Sequence, residues 1–237
     1  MLIATDLDGT FLAGSPAQKE KLYRFITQDS HTQLAYVTGR GLPLVLPLLE
    51  EPDLARPDYI ICDVGATLTD RHGALLHPLM REVTDRWPGE DTIVEALADI
   101  PGLERQQQPQ ARRVSYYCSA DAVTTTVAER VHALGCDLLY SADLYLDVLP
   151  PGVNKGSSLR RLVQHLGLDP EQVLVAGDTL NDLSMFTHGF KGVCVGESEP
   201  ALLQATAGLD HVFHASAPGC DGILQALQHF NMRAPAA

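Results

Sequence analysis

Two aspartates, Asp6 and Asp8, stand two residues apart where the short apolar run opening MLIATDLDGTFL comes to its end. On an extended strand, positions i and i+2 face the same side, so both carboxylates would address one spot. Like charges that close repel, and each resists leaving water, so a positive group belongs between them. A turn would account for Asp8-Gly9, but not for a carboxylate on the preceding strand residue as well. A second pair extends the pattern: in LVAGDTLND, Asp178 and Asp182 are four residues apart. That spacing suits one at a strand tip and the other in the first helical turn beyond it. Four converging carboxylates, Asp6, Asp8, Asp178 and Asp182, with positions left open, describe a site for a hard cation, and Mg²⁺ fits the donor set.

Mg²⁺ commonly works beside a phosphate, which needs donors of its own. The stretch VTGR places the Thr38 hydroxyl, the Gly39 backbone and the Arg40 guanidinium at the end of another apolar run. NKGSSL places Lys155 at a helix start, where free N–H groups and the dipole already favour an anion. A lone lysine there is ordinarily a solvated residue. The specificity lies in the order of the pieces, each at the end of a strand or helix.

The elements that must position these residues alternate along the chain. Runs at 2–5, 33–38, 58–63, 173–178, 192–196 and 211–215 read as buried strands, and amphipathic stretches at 16–29, 41–49, 157–167, 181–188, 199–206 and 220–230 as helices. Such alternation predicts an α/β fold, a doubly wound parallel sheet with helices on both faces, whose ligands bind beyond the carboxyl ends of the strands. The middle of the chain breaks the rhythm. TLTDRHGALL (67–76) reads as a hairpin, followed by a helical region around 80–100, a Gln-rich loop, a strand at 112–119, a helix over 121–134 and strands at 136–141 and 144–149. An inserted α/β cap domain with an antiparallel sheet is therefore expected over 79–151, between core segments 1–78 and 152–237.

Composition narrows the function classes. The 237 residues are 45% hydrophobic and 20% charged, and 30 Asp+Glu against 17 Lys+Arg give a formal net charge of −13. Nucleic acid and anionic membrane both call for a basic face, so neither is expected as a partner. The five cysteines are scattered, odd in number and lie in or beside apolar runs, which predicts buried thiols. No basic segment opens the chain, and no apolar run nears the roughly 20 residues of a membrane span, so a cytoplasmic protein is expected.

DLDGT, VTGR, the NKG lysine and GDTLND, in that order, resemble the four motifs of the haloacid dehalogenase (HAD) superfamily of phosphatases and phosphotransferases. The insertion between the second and third motifs resembles the type IIB cap. DYIICDVGATL, RRVSYYC, DLYLDVLPPGVNKG and VLVAGDTLNDLSMF are most similar to sucrose-phosphate phosphatases and their relatives, which act on glycosyl phosphates such as glucosylglycerol phosphate and mannosyl-phosphoglycerate. The resemblance implies Asp6 as nucleophile and Asp8 as general acid and base, with Asp8 meeting the metal through its backbone carbonyl. It implies Thr38, Lys155, Gly39 and Asn181 around the phosphoryl oxygens, and Asp178, with Asp182 direct or through water, on Mg²⁺. A phosphomannomutase-like phosphotransferase shares this start and cap type. A non-catalytic sugar-phosphate sensor, or a synthase partner, would need no nucleophile.

Substrate choice is expected to fall to the cap and to the loop after DYIICD. Gly65 and Ala66 are small enough for a ligand to approach, or else form a tight strand-end turn. Arg113, Arg40 and Asn154 are candidates to reach a sugar hydroxyl or carboxylate. The chain has Ala66-Thr67 where sucrose-phosphate phosphatases carry Thr-Glu, so their glucose contacts do not transfer directly. The expected partner is a small phosphorylated sugar or glycoside, with a functional link to a glycosyl-phosphate synthase.

Overall fold

The computed structural model describes residues 1–141 and 143–234. Strands β1 (Leu2–Thr5), β2 (Gln33–Val37), β3 (Tyr59–Cys62) and β4 (Thr67–Asp70) come first. A middle set follows: β5 (Glu104–Arg105), β6 (Val114–Tyr117), β7 (Asp137–Ser141) and β8 (Tyr145–Leu149). The chain then closes with β9 (Val173–Gly177), β10 (Lys191–Gly196) and β11 (Val212–Pro218). The helices are α1 (Pro16–Gln28), α2 (Leu42–Val45), α3 (His77–Asp85), α4 (Glu90–Leu97), α5 (Thr125–Ala133), α6 (Lys155–His165), α7 (Leu183–Phe186), α8 (Pro200–Thr206) and α9 (Gly219–His229).

Seven strands form one sheet in the order β11-β10-β9-β1-β2-β3-β4, parallel throughout except for the antiparallel edge strand β4. Its strands are buried on both faces, which is why they read as unbroken apolar runs rather than as alternation. Successive residues of β1 point to opposite sides. Leu2 and Ala4 join a core with α3, α6, α7 and α8, while Ile3 joins the core packed by α1 and α9. Strand order reverses at β1, since β2 and β3 extend the sheet one way and β9 and β10 the other. The crevice between the carboxyl ends of β1 and β9 is thus the topological switch point, the place where open α/β sheets bind ligands.

The second sheet, β5-β6-β8-β7, is antiparallel. Val114 and Tyr116 of β6, with Leu146 and Val148 of β8, pack against α4 and α5 in a core of their own. Ser115 and Asp147 alternate to the opposite face, where they are buried together with Arg113. The α3 residues Met80 and Val83 belong instead to the core of the large sheet.

Several expected elements differ in extent. The helix read over 41–49 is α2 followed by a 3-10 turn, because Pro43 and Pro47 each remove an amide donor. The region around 80–100 divides into α3 and α4 at Trp87-Pro88-Gly89, where Gly89 takes φ 100°. The helix read over 181–188 is a 3-10 turn leading into α7. In the expected hairpin, β4 pairs chiefly with β3, and the returning arm contributes only a single bridge between Thr69 and Leu75. The Gln-rich loop is preceded by the two-residue β5, which is too short to show as a pattern.

Candidate active site

Asp6 directly follows β1 and donates its main-chain N–H to the Ala176 carbonyl at 2.9 Å, so the strand pairing itself fixes its place beside β9. The chain then turns through Leu7–Phe11, with Phe11 N–H donating to the Asp6 carbonyl at 3.1 Å. The turn needs Gly9. Its φ is 79°, and a Cβ there would lie 2.1 Å from Asp178 Oδ2. Asp178 follows the tip of β9, and its Oδ1 accepts from the Thr10 hydroxyl at 2.7 Å. Asp182 Oδ2 accepts from the amides of Asp178 and Thr179 at 3.0 and 3.1 Å, which pins its carboxylate under the loop.

Lys155 joins these pieces. At 0% exposure, its Nζ donates to Asp6 Oδ1 at 2.7 Å and to Asp182 Oδ1 at 2.6 Å. It is the first residue of α6, whose start is closed by a capping box. Asn154 accepts from Ser157 N–H at 2.8 Å, and the Ser157 hydroxyl accepts from Asn154 N–H at 3.0 Å. Glycine at 156 lets this first turn lie against α7, since a Cβ would stand 1.9 Å from the Ser184 carbonyl. The lysine that reads as solvated in isolation is therefore buried, and carboxylates on both sides compensate it.

Carboxylate oxygens of Asp6, Asp178 and Asp182 lie within 4.8 Å of one another. Burial pushes Asp6 up to about 8 against the pull of Lys155, and burial with the neighbouring Asp182 pushes Asp178 up to about 6. Burial acts to lower Lys155, but Asp182 and Asp6 outweigh it and hold the ammonium above its ordinary range. Three carboxylates around a single ammonium are short of positive charge, and the donors are all oxygen, so the site fits a hard divalent cation. The Asp8 carboxylate is not in this group. It turns outward, and Arg40 grips both of its oxygens, Nε on Oδ2 at 2.8 Å and Nη2 on Oδ1 at 2.5 Å.

Thr38 is buried at the end of β2. Its N–H donates to the Ile61 carbonyl at 2.8 Å and its Oγ1 accepts from Arg40 N–H at 3.1 Å. A Cβ on Gly39 would meet only Val64, at 4.0 Å, so the backbone there is open on its free side. Asn181 lies in the turn between Asp178 and Asp182, its buried Oδ1 without a hydrogen-bond partner among the described residues. The remaining sequence candidates are committed elsewhere. Gly65 has φ 108°, and a Cβ would stand 2.3 Å from the Asn154 carbonyl, so its smallness admits the chain before α6. Ala66 is in the hydrophobic core and the Asn154 side chain caps α6.

Arg113 is not solvated. It is 4% exposed, with Nη1 3.5 Å from Asp147 and Nε 3.9 Å from Asp63 of the large sheet. Asp63 is 0% exposed, and burial raises its carboxyl despite Arg113. Arg112 donates to the Ala66 carbonyl and to the Thr67 hydroxyl, both at 3.0 Å. Gly41 leaves room for the Pro109 carbonyl, which would stand 2.0 Å from a Cβ. The loop before β6 is thus seated on the rim of the site. Sequence reasoning missed Asp63, although DYIICD ends a strand in a carboxylate just as LIATD and VLVAGD do.

A family model described as sucrose-6F-phosphate phosphohydrolase matches residues 1–231. A glucosylglycerol-phosphate synthase of Pseudomonas anguilliseptica is 55% identical over 97% of this chain, which spans 31% of that protein's length. A mannosylfructose-phosphate phosphatase of Agrobacterium fabrum is 29% identical over 98% of this chain and 97% of its own. Among solved structures, the sucrose-phosphatase of Synechocystis sp. PCC6803 in complex with sucrose and phosphate has a TM-score of 0.85 at 26% identity, covering 98% of each chain.

Proposed function

The chain belongs to the sucrose-6F-phosphate phosphohydrolase family, and from that premise we propose that it is a Mg²⁺-dependent phosphatase releasing inorganic phosphate from a glycosyl phosphate. Glucosylglycerol phosphate is the first substrate to test, because the relative at 55% identity is named for that compound. The single observation that carries the reading is Lys155, buried and bridging the strand-end carboxylate Asp6 to Asp182 beside Asp178 at the switch point.

In this reading an Asp6 carboxylate oxygen attacks phosphorus, the ester P–O bond breaks, and the leaving sugar oxygen takes a proton from Asp8. Water then attacks the phosphorus of the aspartyl-phosphate and gives a proton back to Asp8, freeing phosphate and restoring Asp6. Thr38 Oγ1, the main-chain N–H of Gly39, Asn181 and the Lys155 ammonium surround the equatorial oxygens, where negative charge gathers. Mg²⁺, held by Asp6, Asp178 and the Asp8 main-chain carbonyl with Asp182 alongside, would neutralise that charge. The cap, expected over 79–151 but with α3 packed into the core of the large sheet, closes on the core of 1–78 and 152–237 through Pro109, Arg112 and Arg113, excluding water and facing the sugar. Among the described residues no helix is long and apolar enough to cross a membrane; that the chain works beside a glycosyl-phosphate synthase is supported by the relative bearing that name.

Phosphate release tests the reading. The panel is glucosylglycerol phosphate, sucrose 6-phosphate, mannosylfructose phosphate, mannosyl-phosphoglycerate and hexose monophosphates, each with Mg²⁺ and with EDTA, with Asp6→Asn as control. One preferred ester, lost with EDTA and in the variant, is the expected result. No release from any ester by folded, Mg²⁺-loaded protein would sink the phosphatase and leave the mutase and the sensor.

A further inference from the structure

The ion pair between the two sheets is incomplete. Asp63 is 0% exposed and follows β3 of the large sheet, and Arg113 is 4% exposed and precedes β6 of the small one. Arg113 Nε stands 3.9 Å from Asp63 Oδ1, too far for a hydrogen bond. Neither atom has a partner among the described residues, and neither does Arg113 Nη2. Nε and Nη2 make up one edge of the guanidinium, so a whole donor edge and the acceptor facing it are buried and unused. Leaving such groups unpaired costs more than a made bond contributes, and native structures nearly always pair them. Both groups are held in place. Asp63 and Val64 take φ 53° and 55°, a left-handed backbone that is strained for a β-branched residue and persists only under firm contacts. Asp63 N–H donates to the Arg40 carbonyl at 2.9 Å and Val64 N–H to the Thr38 carbonyl at 3.2 Å, while the Thr67 hydroxyl donates to Asp63 Oδ2 at 2.7 Å. The other carboxylate oxygen is left facing Arg113, whose Nη1 donates to Asp147 at 3.5 Å on its opposite side.

The gap between them has a chemical character. An oxygen at about 2.8 Å from each atom, an ordinary hydrogen-bond length, would see Nε and Oδ1 roughly 90° apart. An alcohol oxygen accepts and donates at once, so it serves the guanidinium edge and the carboxylate together. A carboxylate would be repelled by Asp63, an ammonium by Arg113, and an apolar group would leave both unpaired. The loop Thr38–Arg40, to which Asp63 and Val64 are bonded, is the one proposed above to hold the phosphoryl group, so the pair borders the space for the rest of the ester. We propose that Asp63 and Arg113 form a subsite for one hydroxyl of the sugar, entered while the cap is open and completed when it closes. The inference rests on the phosphatase reading above and deepens it. Because one group belongs to the core and the other to the cap, recognition of that hydroxyl and closure over the ester are the same event.

The test uses the preferred ester of the panel, its monodeoxy analogues and p-nitrophenyl phosphate, with wild type, Asp63→Asn and Arg113→Lys. Asparagine tolerates the left-handed backbone, and its oxygen can keep the Thr67 bond while its NH2 replaces the free acceptor. Lysine keeps a charge opposite Asp147 without the guanidinium edge. The ratio of kcat/KM for the glycosyl ester to that for p-nitrophenyl phosphate should fall at least about tenfold in each variant, since a site built around a substrate hydroxyl discriminates strongly by it. One monodeoxy analogue should lose a similar factor with wild type and little more with either variant, because both changes remove the same contact. Circular dichroism checks that each variant folds, and either one alone completes the cycle. Equal loss on both kinds of ester would make the pair a structural seam closed by water and overturn the proposal, as would losses that add for every analogue. Wild-type protein indifferent to every monodeoxy analogue would overturn it with no variant needed. Wild-type protein that turns over no ester would remove the phosphatase reading itself, before any analogue or variant is compared.

Discussion

Replacing Lys155 by methionine keeps most of the side-chain volume and removes only the charge, so its cost measures what the ammonium does. In the folded protein Asp6 and Asp182 each face Lys155 within 2.7 Å, and Lys155 is completely buried. Taking one partner from a buried ion pair costs about 3–5 kcal/mol, because the opposite charge is left without compensation. Here two carboxylates are left facing each other. A stability change of 1 kcal/mol moves Tm by roughly 2–4 °C in chains of this size, so Lys155→Met should melt about 6–20 °C below wild type in EDTA near pH 8. The deficit should be larger at pH 9 than at pH 8. Burial holds the Asp6 carboxyl up to about 8 against the pull of Lys155; without the lysine it goes higher still, so above pH 8 the variant keeps losing stability where the wild type does not. A second substitution, Asp182→Asn, should recover most of the loss in the double variant, since an amide oxygen can still accept from the amides of Asp178 and Thr179. The assay is thermal unfolding at both pH values, with circular dichroism to confirm the fold. A Lys155→Met protein within 1 °C of wild type at pH 8 would refute the argument, for it would mean that the buried carboxylates need no cation.

Gly9→Ala should lose activity and at least about 1 kcal/mol of stability, because φ 79° strains an L-residue and the new Cβ would strike Asp178; unaltered turnover would contradict this geometry. Mg²⁺ should raise Tm more near pH 8 than near pH 5. The folded-state values of Asp6 and Asp178, about 8 and 6, lie above the ordinary carboxylate value. Metal-free stability therefore falls as pH rises through that window, while the ionised ligands become available. A pH-independent Mg²⁺ shift, followed by differential scanning fluorimetry, would argue against these carboxylates as ligands. Arg113→Met should destabilise by about 3 kcal/mol or more at neutral pH, because Asp63 and Asp147 stay buried without it. Urea unfolding measures this, and Asp63→Asn combined with Arg113→Met should recover part of the loss.

The parts of the site legible in the sequence are those that a strand end places by itself. Asp6, Thr38 and Asp178 each follow a buried apolar run, and parallel pairing of β1 with β2 and β9 brings those ends together whatever else the chain does. Lys155 was legible by its place at a helix start, but its burial was not, because no local pattern distinguishes a lysine aimed inward from one aimed at water. Gly65 was read either as room for a ligand or as a strand-end turn and Asn154 as a candidate for the sugar; in the structure both lie where the β3 loop packs against α6. Asp63, and its pairing with the candidate Arg113, escaped for the opposite reason. Each belongs to a different sheet, and their meeting depends on how the two sheets face each other, which no stretch of either encodes. The edge strand β5, two residues long, and the outward turn of Asp8 are likewise products of tertiary contact with β6 and with Arg40.

Charge explains why these residues need one another. The chain carries a formal net charge of −13, which on long-range grounds repels the dianionic group it is proposed to bind. At the switch point three carboxylates stand around one ammonium, an arrangement that, with all of them ionised, is two negative charges from neutrality and on its own hostile to phosphate. One divalent cation brings that group to neutrality. The next cation outward, Arg40, is occupied by Asp8 and so adds no free positive charge at the mouth. Binding of a phosphoryl group should therefore be conditional on the metal, with Lys155 pulling the Asp6 carboxyl down against its burial and not attracting the anion alone. Equilibrium binding of orthophosphate to the wild-type protein separates the two roles. If the metal supplies the missing charge, removing Mg²⁺ should weaken binding by more than tenfold. Phosphate held equally well in EDTA would mean that the ammonium and the backbone amides suffice, and that the carboxylates are not jointly ionised.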